Sequence, residues 1–131
     1  MAPKQKKGAQ SSTQTSIVKK GRMYITATFN NTLATVTDQE GNVLAWTSSG
    51  TAGFSGARRA TPFAATKTVT QLIEKLRKYE TEELEVYLSG AGSGREASLR
   101  ALKSSGLRLN LIADITPIPH NGVRPKKKRR I

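Results

Sequence analysis

Cysteine is absent from these 131 residues, which removes a disulfide framework, a thiolate metal site and a cysteine nucleophile together. Histidine occurs once, at His120. No clustered carboxylates stand near it, so neither a metal set nor a catalytic triad can be nominated. No apolar run approaches the roughly 18 residues that span a bilayer, and the first residues lack the apolar stretch of a signal peptide. The expectation is a soluble, intracellular, non-enzymatic chain with no cofactor, no membrane partner and no small-molecule substrate. Acid is also scarce where it would matter. Residues 1–37 hold six basic side chains and no acidic one, residues 115–131 again six and none, and the stretch between them ten basic against nine acidic. The middle is close to neutral and the ends carry the field, a layout suited to a protein pinned into folded RNA by its extremities.

What is present is most concentrated at the end of the chain. Residues 117–131 read PIPHNGVRPKKKRRI. Pro117, Pro119 and Pro125 fix φ and lack a backbone donor, so the stretch is predicted to run extended over a surface. Arg124, Lys126, Lys127, Lys128, Arg129 and Arg130 repel one another unless a partner supplies dense negative charge. Nucleic acid is the first candidate. A nuclear address and a polybasic membrane anchor share this composition, but an anchor needs a second element and none adjoins it. His120 and Asn121 read as hydrogen-bonding or stacking groups in a turn at Asn121-Gly122. Asn-Gly also cyclises readily to a succinimide, so peptide mapping of aged protein is expected to find isoaspartate at position 121.

Three zones follow from composition: a basic arm over 1–16 that is disordered when free, an α/β RNA-binding domain over 17–116, and the extended basic tail over 117–131. The arm lacks acid and holds Ser and Thr, as a transit peptide does, but has no arginine and no apolar face. From Arg22 strict alternation places Met23, Ile25, Ala27 and Phe29 on one face of a strand. Asn30-Asn31 is a turn, Thr32 to Thr37 a second strand, DQEGN (38–42) a turn, and Val43 to Ser48 a third strand holding Trp46, which is assigned to the core. After the glycine loop of residues 50–60, Thr61-Pro62 opens a helix as N-cap and first helical residue. Its apolar face runs Ala65, Val69, Leu72, Ile73, Leu76, Tyr79. Leu84, Val86 and Leu88 alternate with Glu83, Glu85 and Tyr87 in a fourth strand. Ser93 and Glu96 are predicted to form a capping box for a second helix that Gly106 stops, and a fifth strand follows from Leu107. Strand, helix and strand make a parallel βαβ unit, so the fold class is α/β: a mixed five-stranded sheet with helices on its faces.

Two glycine-rich junctions carry the binding chemistry. GAGSGR (90–95) follows a strand and opens a helix, close to a dinucleotide fingerprint, but Arg95 stands where the third glycine is needed, and the roughly half of the chain left over supplies no catalytic domain. Free backbone N–H groups, the helix dipole and the Arg95 fork suit a phosphate instead. GTAGFSGARRA (50–60) sets Arg58 and Arg59 before the other helix start. Phe54, among its glycines, either stacks on a base or tucks into the core.

Four segments, in order, carry a resemblance: TATFNNTLATVTD (26–38), GTAGFSGARRATPFAA (50–65), GAGSGREASLRAL (90–102) and TPIPHNGVRPKKKRR (116–130). Over residues 22–130 the chain resembles the universal small-subunit ribosomal protein eleven family, bacterial and organellar branch. The resemblance implies a ribonuclease-H-like fold and a structural place on the platform of the small subunit. There the chain would bind 16S-type rRNA near the exit site and mRNA path, beside other platform proteins, in a cytoplasmic or an organellar ribosome. It implies RNA contacts at Asn30, Asn31, Arg58, Arg59, Arg95, and from His120 and Asn121 through Arg124, Lys126, Lys127, Lys128, Arg129 and Arg130. Ala91, Ser55, Val123 and Lys126 depart from the family's usual residues; Ser55 forgoes one basic contact and Lys126 adds one. The alternative is a non-ribosomal architectural protein that binds nucleic acid.

Overall fold

The computed structural model describes residues 17–128 and 130; the predicted arm over 1–16 and Arg129 lie outside the described residues. Five strands are present: β1 Lys20–Ala27, β2 Thr32–Thr37, β3 Val43–Ser48, β4 Glu83–Ser89 and β5 Arg108–Asp114. Helix α1 is Pro62–Leu76 and helix α2 is Gly94–Ser104. The strands form one sheet in the order β3-β2-β1-β4-β5. β2 pairs antiparallel to β1 and β3, while β4 runs parallel to β1 and β5 parallel to β4. The mixed sheet expected from a meander joined to a βαβ unit is therefore observed.

The helices differ from expectation in placement. Met23 and Ile25 of β1, Ala34 and Val36 of β2, and Leu84, Val86 and Leu88 of β4 form a single core with Val69, Leu72 and Leu76 of α1 and Leu102 of α2. Successive strand residues point to opposite sides, so these all share one face, and both helices cover that face. Among the described residues no layer covers the sheet's other face. Tyr24 and Tyr87, cross-strand neighbours on this open face, stack with ring centroids 5.3 Å apart. Trp46 pairs with Thr35 in the same row and is 53% exposed, so it is not core. Alternation identifies two faces but cannot say that only one receives helices. Trp46 is the sole tryptophan, so acrylamide should quench most of the native emission; an indole shielded until unfolding would contradict this placement.

Local signals explain the element ends. Thr61 accepts a hydrogen bond from Ala64 N at 3.2 Å, with Pro62 at the start of α1, as the sequence predicts. The Asp38 carboxylate closes the β2–β3 turn by accepting from the Glu40 and Asn42 amides, each at 2.9 Å. β1 ends at Ala27, and Phe29, expected inward by alternation, is 80% exposed at the turn beyond it. Ser93 makes no capping hydrogen bond to α2, which corrects the capping box. Its hydroxyl instead donates to Ala60 O at 2.6 Å, joining the two glycine-rich junctions.

Candidate nucleic-acid interface

Because β1, β3, β4 and β5 run the same way, their C-terminal ends and the N-termini of both helices gather at one end of the sheet. Crevices at the carboxyl ends of strands are where open α/β sheets take ligands. The turn after β1, the loop after β3, the glycine loop after β4 and the tail after β5 all emerge there. The sequence-predicted residues Asn30, Asn31, Arg58, Arg59 and Arg95 are thereby brought together, and the segment from His120 departs from the same end. Seven of the nine acidic residues lie elsewhere; Asp114 and Glu96 are the exceptions. Asp114 is paired with Arg95 and Glu96 lies 3.7 Å from Arg100, so the cationic character of this end survives.

The β1–β2 turn is built around Thr28, whose hydroxyl accepts from the Asn30 and Asn31 amides at 3.2 and 2.9 Å. Asn31 Oδ1 is used locally, accepting from Thr32 N at 2.8 Å, while Asn30 is exposed. Phe29 at the same turn presents an exposed ring beside them. Sequence reasoning missed it because its parity matched the core. Phe54 packs edge-on against Phe63 at 5.8 Å rather than standing free. The segment Gly56–Ala60 forms a 3-10 turn, with Arg58 exposed and Arg59 partly covered. The Arg59 Nε donates to Gly56 O at 3.3 Å, which aims its guanidinium.

Gly90 and Gly92 are needed for packing inside the molecule. A Cβ on Gly90 would lie 2.3 Å from Ala27 O, and one on Gly92 would lie 2.2 Å from Thr28 O. The Gly92 amide donates to Ala27 O at 2.7 Å, so the loop is pressed against the end of β1. Part of the backbone expected to be free for phosphate is therefore committed internally. Arg95 is committed as well: Nη1 donates to Gly90 O at 2.6 Å and Nη2 to Asp114 Oδ2 at 2.9 Å. Two of its five N–H groups are used, leaving the outer side of the fork for an anion.

These bonds also anchor the root of the tail. Asp114 Oδ1 accepts from the Thr116 hydroxyl at 2.5 Å and from its amide at 3.0 Å, and the Gly90 amide donates to Thr116 Oγ1 at 3.1 Å. The Thr116 hydroxyl, then its amide, then Arg95 hold the Asp114 carboxyl well below the usual carboxylate range. A lowered carboxylate pKa stabilises the native contact above the unfolded pKa of about 4, and the benefit disappears as pH falls below it. Exchange protection of the Thr116 and Gly90 amides should drop on acidification below about pH 4, and Asp114→Asn should lack that step; protection unchanged in wild type would contradict it. Beyond Thr116, residues 117–128 form no helix or strand and are exposed throughout. Asn121 has φ +58°, the left-handed turn conformation that asparagine tolerates.

Among the described residues no group of three His, Asp or Glu side chains could hold a metal ion. Among the same residues no helix is long and apolar enough to cross a membrane. A one-sided α/β sheet with basic loops and a basic tail at one end defines an anion-binding protein of the nucleic-acid-binding class. Comparison with known sequences makes this specific: the chain belongs to the ribosomal protein S11 family, whose model matches residues 21–130. It is similar to the small ribosomal subunit protein uS11 of Caldicellulosiruptor saccharolyticus and to that of Caldicellulosiruptor bescii. Each is 50% identical over 114 residues, covering 87% of this chain and 88% of the relative.

Proposed function

We infer that this chain is a structural constituent of the small ribosomal subunit that binds 16S-type rRNA and supports subunit assembly and translation. The observation that carries the reading is the convergence of Asn30, Arg58, Arg59, Arg95 and the tail root at one nearly acid-free end of the sheet. Membership of the ribosomal protein S11 family supports it. In this reading residues 17–116 are the RNA-binding body and 117–131 an extended basic tail, with His120, Asn121 and the six cations from Arg124 to Arg130 threaded among phosphates. The site lies on the platform near the exit site and mRNA path, with other platform proteins as neighbours, in a cytoplasmic or organellar ribosome. The strand order β3-β2-β1-β4-β5, with β2 alone antiparallel, supports a ribonuclease-H-like description of the body.

Phosphate contacts fix position, whereas unpaired bases and folded shape give specificity in RNA. The exposed Asn30 amide and Phe29 ring can reach bases, and the arginines can reach backbone. Competition between 16S-type rRNA and duplex DNA of equal phosphate content at moderate salt tests the reading. Clear preference for rRNA is expected, and equal affinity would favour a general architectural nucleic-acid binder instead.

A further inference from the structure

The end of the sheet opposite the cationic one carries a groove that the RNA reading leaves without a role. It encloses about 350 Å³ between the C-terminal turns of both helices and the start of β4. Ile73, Leu76 and Leu107 supply its apolar surface, and Glu80 and Glu82 line it with carboxylates. Glu83 and Glu85 nearby are already paired, to Arg108 at 3.2 Å and to Arg22 at 3.4 Å. Glu80 and Glu82 have no ion-pair partner among the described residues. Thr81 lies between them, 9% exposed and lining the groove, and its hydroxyl has no hydrogen-bond partner among the described residues. A buried hydroxyl left unpaired costs free energy, so a partner that supplies a donor or acceptor there gains what the free chain lacks. Glu80 also sits at φ +54°, in the left-handed region that favours glycine, and presents its carboxylate from there.

We propose that this groove is the docking site for a cationic, partly aliphatic segment of a neighbouring protein in the same particle. The inference rests on the assembly reading above and gives it a second, protein-facing surface. Lys or Arg side chains of the segment sit against Glu80 and Glu82, an aliphatic side chain covers Ile73, Leu76 and Leu107, and a polar group meets Thr81 Oγ1. Arg77, on the same rim, favours a segment with spaced rather than continuous cations. Phosphate is disfavoured, because the two unpaired carboxylates outnumber the single rim cation, Arg77.

The absence of native cysteine gives a clean test in the full chain. Ser105→Cys, and separately Arg77→Cys, is alkylated with a benzophenone maleimide, assembled with rRNA and the remaining proteins into small subunits, and irradiated. The expected product is a crosslink to a Lys- or Arg-bearing peptide of another protein, reduced at least tenfold by Glu80→Lys with Glu82→Lys while incorporation is unchanged. Crosslinks to rRNA, to a second copy, or to this chain's own residues overturn the proposal. So does incorporation with no crosslink, or a crosslink indifferent to charge reversal. Failure of the unlabelled wild-type chain to enter particles would be a different result, striking the assembly reading itself.

Discussion

Truncation after Asn121 is expected to lower the slope of log K against log salt by roughly 4, since six phosphate contacts at the single-strand coefficient of about 0.7 each are removed. The six are Arg124, Lys126, Lys127, Lys128, Arg129 and Arg130. Between 50 and 200 mM salt the full chain should thus lose about 250 times more affinity than the truncated one. Folding should be unaffected, because residues 117–128 are exposed and lie beyond the last anchoring bonds at Thr116. Filter binding across a salt series, with a denaturant curve for each protein, measures both. A slope that does not change would take the tail out of the mechanism.

Gly90→Ala produces the opposite pattern, with stability lost first. The new methyl would lie 2.3 Å from Ala27 O, and Gly90 has φ +93°, so neither the space nor the backbone admits it. Overpacking costs about 1–3 kcal/mol, and forcing a side chain into positive φ about 1–2 more. A loss of about 3 kcal/mol is a large part of the roughly 5–15 kcal/mol that holds a domain together. Gly41→Ala is the control: φ is +98° but nothing lies within 4 Å of the added Cβ, so only the backbone cost of about 1–2 kcal/mol remains. Urea unfolding of both variants separates the two terms. Equal losses would show that the close approach of the glycine loop to β1 is not what fixes Gly90.

The fold was legible where its cause is local. Strand alternation from Met23, the Thr61-Pro62 helix start and the stop at Gly106 need only nearest-neighbour chemistry, and the structure has each of them. What eluded sequence reasoning depends on distant segments. Trp46 alternates with the apolar Leu44 and Phe29 continues the parity of Met23, Ile25 and Ala27, yet the first faces the helix-free side of the sheet and the second follows the strand's end. Ser93 has the residue type and spacing of a capping box, but Ala60 O, 33 residues away, takes its hydroxyl. Arg95 reads as a free phosphate fork until Asp114 is found beside it. The basic residues of the candidate site were visible one by one. Their convergence was not, because it follows from four strands running in one direction.

The division between a cationic end and a carboxylate-rich one is tested most directly by ultraviolet crosslinking of the full chain to 16S-type rRNA, followed by mass spectrometry of the attached peptides. Crosslinks should fall at residues 28–31, 54–60 and 118–130. Crosslinks concentrated at residues 38–42 or 77–85, with none at the ends of β1, β3 and β5, would contradict the account.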